Sequence, residues 1–152
     1  VATAGTNELI RNRKARYDFH VLETYETGIA LVGTEVKSCR SHNISMADAY
    51  ARVEGGELWM YNVHIDEFVH GNRFNHDPRR RRKLLVHRSE LRKIKQQLDA
   101  QGLTAVPLSL YLKRGKVKVK LGICRGKSKG DKRETVKKRE AQIEMRKAMQ
   151  NR

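Results

Sequence analysis

Two periods of apolar residues run along this chain, and each change of period marks an element. Tyr17, Phe19 and Val21 alternate with Asp18, His20 and Leu22, a period of two that predicts a strand over 17–24 with an imperfect outer face. Glu26-Thr27-Gly28 reads as a turn, and Ile29–Val32 as a second strand broken by Gly33-Thr34. Glu35–Arg40 fits a strand continuation or a short helix equally well. Ala49–Val53 and Glu57–Val63 flank Glu54-Gly55-Gly56, a short glycine-rich connection of the hairpin kind. From His64 to Asp77 the pattern dissolves into a stretch rich in His, Asn and Gly. After Pro78 comes the basic run Arg79–Lys83, and then a short apolar strand, Leu84-Leu85-Val86. The period lengthens at Leu91, Ile94, Leu98 and Gln101, which predicts a helix capped by Ser89 and ended by Gly102. Alternation returns at Val106, Leu108, Leu110 and Leu112. It resumes at Val117, Val119, Leu121 and Ile123 after the basic turn Lys113-Arg114-Gly115-Lys116.

About six short antiparallel strands with one good helix between them predict a mainly β fold with helices. A small closed barrel of the oligonucleotide-binding type is the natural form, because closure removes the exposed edges that short sheets leave. The expected organisation is a flexible lead-in at 1–10, a barrel domain at 11–124 and a basic tail at 125–152. The tail holds eleven Lys/Arg against four Asp/Glu. It is written for a helix, with Asp131 and Glu134 spaced as a capping box. Val136, Ile143, Met145 and Met149 do not make the wide stripe that a core-facing helix needs. The segment is therefore expected to be an arm awaiting a surface that supplies phosphates.

Charge sharpens this picture. The 152 residues carry 33 Lys+Arg against 17 Asp+Glu, a formal net charge of +16. Such a field favours polyanions, nucleic acid first and an anionic membrane second. The cations fall in three clusters, Arg11–Arg16, Arg79–Lys83 and the tail. On the last strand Lys118 and Lys120 share the outer face and extend a basic stripe from Arg114 and Lys116. Phe68 and Phe74, in the irregular stretch, are the candidates for stacking on bases or for closing the barrel's open end.

Catalytic chemistry is hard to find. Gly122 and Gly126-Lys127-Ser128 resemble a phosphate-binding loop, but three residues separate the glycines where four are needed. The six histidines make no helical zinc pair, and Cys39 and Cys124 make no CxxC, so no metal site and no cofactor are expected. Both cysteines suit free thiols of a reducing cytoplasm. No apolar run approaches a membrane span, and the N-terminus lacks the order of a secretory signal, so a soluble cytoplasmic protein is expected. His20 or His87 as the base of a metal-free ribonuclease is one rival reading. A ribosomal or ribosome-assembly protein with a basic extension is the other.

Several runs carry a family resemblance. Asn12-Arg13-Lys14-Ala15-Arg16, Tyr25-Glu26-Thr27-Gly28, Gly33-Thr34-Glu35-Val36-Lys37-Ser38, Arg82-Lys83-Leu84-Leu85, Val106–Tyr111, Gly126-Lys127 and Asp131-Lys132-Arg133-Glu134 follow one another in this order. Together they resemble the SsrA-binding (small protein B) family of bacterial trans-translation. The resemblance implies an oligonucleotide-binding barrel, no enzymatic activity, and transfer-messenger RNA as partner, gripped at its tRNA-like domain. It implies delivery, with elongation factor Tu and GTP, to stalled ribosomes, with a monomer as the simplest state. For the RNA grip it implicates Asn12, Arg13, Lys14, Arg16, Glu26, Lys37, Arg82, Lys83, Leu85 and His87. Glu26 would accept hydrogen bonds from a base edge or hold a neighbouring arginine. For a tail lying in the vacant messenger channel, near the decoding centre of small-subunit rRNA, it implicates Gly126, Lys127, Lys129, Asp131, Lys132, Arg133, Lys137, Lys138 and Arg139.

Overall fold

The computed structural model describes residues 6–70, 75–100 and 102–150. In chain order the elements are β1 (Thr6–Arg11), α1 (Arg13–Asp18), β2 (Phe19–Ile29), α2 (Gly33–Arg40), β3 (Ile44–Ser45), β4 (Tyr50–Glu54) and β5 (Glu57–Tyr61). They continue with β6 (His64–Ile65), β7 (Arg82–Leu85), α3 (Arg88–Asp99), β8 (Leu103–Lys113), β9 (Lys116–Gly126) and α4 (Lys129–Gln150). The architecture is mainly β with helices. Seven antiparallel strands lie in the order β1-β8-β4-β5-β7-β2-β9, and β9 also pairs with β8. The ladders from β8 through β4, β5, β7, β2 and β9 therefore return to β8, with β1 added along its edge. The joint between β4 and β8 is the slightest, a single pair at Ala51 and Ala105.

Inside this circuit Leu58, Met60, Leu84, Ala105, Leu110, Val119, Leu121 and Ile123 form the core, closed by Ile94 of α3. A second, smaller cluster lies under α1, where Ala15 meets Val106, Leu108 and Cys124. Two apolar faces explain why Ala105 to Leu110 are buried without a break. Bulges between Pro107 and Ser109 on β8, and between Val21 and Glu23 on β2, change the facing side between the two clusters. Gly122 is a packing requirement of the small cluster, since a Cβ there would stand 2.8 Å from Leu108 Cδ1.

Several elements differ from the sequence expectations, each for a visible reason. Thr6–Arg11 is a strand registered on Lys113 to Ser109, so residues 6–10 are not part of a lead-in, and the rest of that expected segment lies outside the described residues. Arg13–Asp18 is helical because Asn12 Oδ1 accepts from the Ala15 N–H at 3.1 Å and caps it, which moves the start of the strand to Phe19. The turn expected at Glu26-Thr27-Gly28 is absent. All three residues are held by β9, opposite Lys120, Val119 and Lys118, and β2 runs on to Ile29. Glu35–Arg40 belongs to a helix, with Glu35 Oε1 accepting from the Val32 N–H. α3 begins at Arg88 after His87, so Ser89 is inside the helix rather than its cap. The Glu54-Gly55-Gly56 connection turns as expected, with φ of 58° and 75° at the two glycines.

Candidate nucleic-acid interface

At the C-terminal end of β2, three of the residues expected to grip RNA come together. Glu26, Leu85 and His87 line one open groove of about 830 Å³ with Glu90, Lys116 and Lys118. Pairing of β2 with β7 sets Gly28 opposite Leu85. A side chain at 28 would crowd Leu85, because its Cβ would stand 3.2 Å from that of Leu85. Leu85 is left 49% exposed, an apolar floor in a polar rim. Glu26 is held from two sides, accepting from the Tyr111 hydroxyl and from Lys113 Nζ at 3.1 Å. The Tyr111 hydrogen bond, more than Lys113, keeps its carboxyl below the usual carboxylate range. The same contact, after burial, pushes the Tyr111 phenol up. Glu26 thus steadies a tyrosine and a lysine, not an arginine. Tyr111 and Lys113 were missed in the sequence because β8 and β2 are brought together only across β9.

The groove combines an ionised acceptor, an apolar surface and the free ammonium groups of Lys116 and Lys118. Cations position a phosphate backbone, and acceptors and apolar faces read bases.

The N-terminal basic motif does not reach this groove. Asn12 is 2% exposed, and its amide donates to the Met46 and Pro107 carbonyls, each at 3.0 Å, besides capping α1. Its side chain is structural and is withdrawn from RNA. Arg13, Lys14 and Arg16 are exposed on α1, with Lys14 Nζ 2.7 Å from Asp48. α1 precedes β2, and the groove lies at the far end of that 11-residue strand, roughly 30 Å away. Lys37 is also exposed, but its ammonium lies over the Phe68 ring, 5.2 Å from the centroid. Phe74 lies outside the described residues.

The basic run is the largest correction. Arg82 is fully buried, with its guanidinium bonded to Glu35 and to the Val63 and Pro78 carbonyls. Its side chain has no exposed surface, against the expectation that it grips RNA. Arg80 joins the same carboxylate. Burial alone would raise the Glu35 carboxyl, but Arg80, the Val32 N–H and Arg82 together hold it below its ordinary value. Arg81 covers Trp59 at 4.1 Å and reaches Glu54, and Lys83 reaches Glu57 at 3.1 Å. Five consecutive cations looked like a phosphate surface, yet most are spent on neighbouring carboxylates.

The tail leaves the fold beside α1. Lys127 N–H donates to the Asp18 carbonyl, and Lys127 Nζ donates to the Arg16 carbonyl and to Thr135 Oγ1. Asp131 lies 3.2 Å from His20, and Lys132 lies 3.2 Å from Asp18 and over the Tyr17 ring. Ser128 and Asp131 bond reciprocally, side chain to backbone. The capping box is therefore Ser128 with Asp131, three residues before the expected pair. Beyond this root α4 has no buried residue. Gly126, Lys129, Arg133, Lys137, Lys138 and Arg139 are all exposed. Of the residues expected to contact the ribosome, Lys127, Asp131 and Lys132 face the fold and the others face outward.

His20 bonds Asp131, whereas His87 is at the groove. His76 is buried between Thr34 and the Ile65 carbonyl. Cys39 and Cys124 are buried free thiols, each pushed up to about 11 by burial. Among the described residues no cluster of potential ligands suits a metal ion, and no helix is long and apolar enough to cross a membrane.

Comparison with known proteins bears on the whole chain. The family model described as SmpB protein matches residues 9–151. The SsrA-binding protein of Ligilactobacillus salivarius is 50% identical over 145 residues, covering 95% of this chain and 94% of that protein. That of Geobacillus kaustophilus is 49% identical over 144 residues, covering 95% and 93%. A solved structure described as "tmRNA-SmpB: a journey to the center of the bacterial ribosome" superposes with a TM-score of 0.67 at 46% identity, covering 88% of this chain and 95% of its own. With half its residues shared with such relatives along nearly its full length, this chain belongs to the SmpB family.

Proposed function

We propose that this chain is a non-catalytic RNA-binding protein that grips the tRNA-like domain of transfer-messenger RNA and delivers it to stalled ribosomes for trans-translation. The six strands whose ladders return to β8 act as an oligonucleotide-binding-type barrel. The groove of Glu26, Leu85, His87, Lys116 and Lys118 takes the RNA. α4, with Arg133, Lys137, Lys138 and Arg139 outward, lies in the empty messenger channel and senses its vacancy. Arg13 and Arg16 beside the arm's root face the decoding centre of the small-subunit rRNA rather than the gripped RNA. The protein works as a cytoplasmic monomer, one per RNA, and elongation factor Tu supplies the GTPase through that RNA.

The observation that carries this reading is that free cations stand both in a groove at one end of β2 and on an unburied helix rooted at the other. The relatives' names, an SsrA-binding protein and a tmRNA-SmpB structure that concerns the bacterial ribosome, accord with two such contacts. Truncation after Thr135 tests it, since that cut keeps the root and removes most of the arm. Affinity for the tRNA-like domain should stay within about twofold while peptide tagging is lost. Loss of RNA affinity with tagging retained would reverse the assignment of the two parts.

A further inference from the structure

α3 carries a charge arrangement that its own stability does not explain. Arg88, Arg92 and Lys95 recur at i, i+4 and i+7, so they form one exposed stripe along the helix. Like charges at this spacing repel. Arg88 also occupies the first helical position, where the macrodipole disfavours a cation, and Asp99 the last, where it disfavours an anion. Some cations elsewhere on the folded body are matched by a carboxylate and others are not. Lys14 has Asp48, Arg81 has Glu54, Lys83 has Glu57 and Lys113 has Glu26. Among the described residues, no ion pair forms on the α3 stripe.

The stripe begins next to the groove, and Glu90, the groove's residue in the first turn, lies about 200° round the helix from Arg88. His87, which lines the groove, is the residue from which α3 starts, and Glu90 in its first turn lines the groove too. At the other end Lys95 lines a cleft of about 320 Å³ together with Arg52 and Asp99, at the slight β4–β8 joint. An RNA arm seated in the groove has a cationic track leading away from it along the 12-residue helix, roughly 18 Å long.

Resting on the reading of the groove as the RNA grip, we propose that Arg88, Arg92 and Lys95 of α3 form a second RNA contact, a phosphate track that holds the backbone of the gripped RNA beyond the groove. The contact is to phosphates, so it adds affinity and salt dependence without reading sequence.

The test uses the full chain and a transcript of the tRNA-like domain of transfer-messenger RNA, with affinity measured by fluorescence anisotropy across potassium chloride concentrations. R88Q/R92Q/K95Q should weaken binding by about tenfold at low salt and lower the log–log salt slope by about two. R11Q/R40Q/R79Q removes three exposed charges elsewhere and should leave both nearly unchanged. Circular dichroism checks that each variant is folded, and the single variant R92Q, with about one-third of the slope change, covers failure of the triple variant to fold. An unchanged slope in folded R88Q/R92Q/K95Q overturns the track. So does an equal loss in the control variant, or a loss confined to phosphatidylserine vesicles. Failure of the groove reading looks different, because the unaltered chain would then bind a ribosomal RNA hairpin of equal length as tightly as the tRNA-like domain.

Discussion

His20 Nε2 and Asp131 Oδ2 meet at 3.2 Å, and this pair ties the first turn of the basic arm to the start of β2. Lys132 with Asp18, and Lys127 with the Arg16 carbonyl, surround it. The arm therefore leaves the folded body from a fixed root, while the helix beyond has nothing to pack on. An arm that must find a channel gains from a set starting direction, because fewer conformers are lost when it seats.

Breaking the root should loosen the arm without touching the RNA grip. H20A combined with D131N is expected to raise amide exchange in the first turns of α4 several-fold, with affinity for the tRNA-like domain unchanged. The His20 hydrogen bond, followed by those from Ser128, depresses the Asp131 carboxyl. Its contribution is thus present above the ordinary aspartate range and disappears as pH falls through the lowered value. Exchange of these amides, corrected for intrinsic rates, should rise on acidification in the unaltered chain and not in D131N. Flat protection across that range in the unaltered chain would show that the carboxylate does not hold the root.

Glu35 is the anchor of the basic run. E35Q leaves the buried Arg82 guanidinium without its counter-charge and deprives Arg80 of its partner. The expected loss is about 3–5 kcal/mol in urea unfolding, typical of removing one member of a buried pair. R79Q, an exposed position of the same run, should cost under about 0.5 kcal/mol. Comparable losses for the two variants would mean that the run acts as a surface and not as a core element.

Tyr111 sets the state of Glu26. Y111F removes the leading hydrogen bond to the carboxylate, so the Glu26 carboxyl should move up toward its ordinary value in a carbon-13 NMR titration. In the unaltered protein the stabilisation from Glu26 is present above the ordinary glutamate range and is lost as pH falls through the depressed value. RNA binding near neutral pH should lose little in Y111F, since Glu26 stays ionised. L85A, which strips the apolar floor, should weaken it by about tenfold. Full affinity in L85A would remove the groove from the interface.

Asn12 serves the fold. N12A leaves the Met46 and Pro107 carbonyls and the Ala15 N–H without their partner, a loss of about 2–3 kcal/mol. Its RNA affinity, measured well below the unfolding midpoint, should match that of the unaltered chain. A selective loss of affinity with stability intact would return Asn12 to the binding surface.

Local order was well written in the residues. The alternation at Val117–Ile123, the two-glycine hairpin after Glu54 and the apolar spacing of Leu91, Ile94 and Leu98 each led to the element that forms, because strand and helix periods are local properties of the backbone. The helix without a core face was legible too, since α4 has too few apolar residues to bury. Glu26-Thr27-Gly28 misled because turn residues remain in a strand when neighbouring strands hold them, and β9 holds all three while β7 holds Gly28.

Sequence by itself determined the strands β4, β5, β8 and β9, the net positive charge, the unburied arm and the motifs of the family. Only the tertiary structure decided which charges are free. Glu35 pairs with both Arg80 and Arg82 across more than forty residues of chain, and α1 stands at the opposite end of β2 from the groove. A cation's availability depends on which carboxylate the fold sets beside it and on how much water remains around it. Those are distances in space, and the order of residues does not contain them.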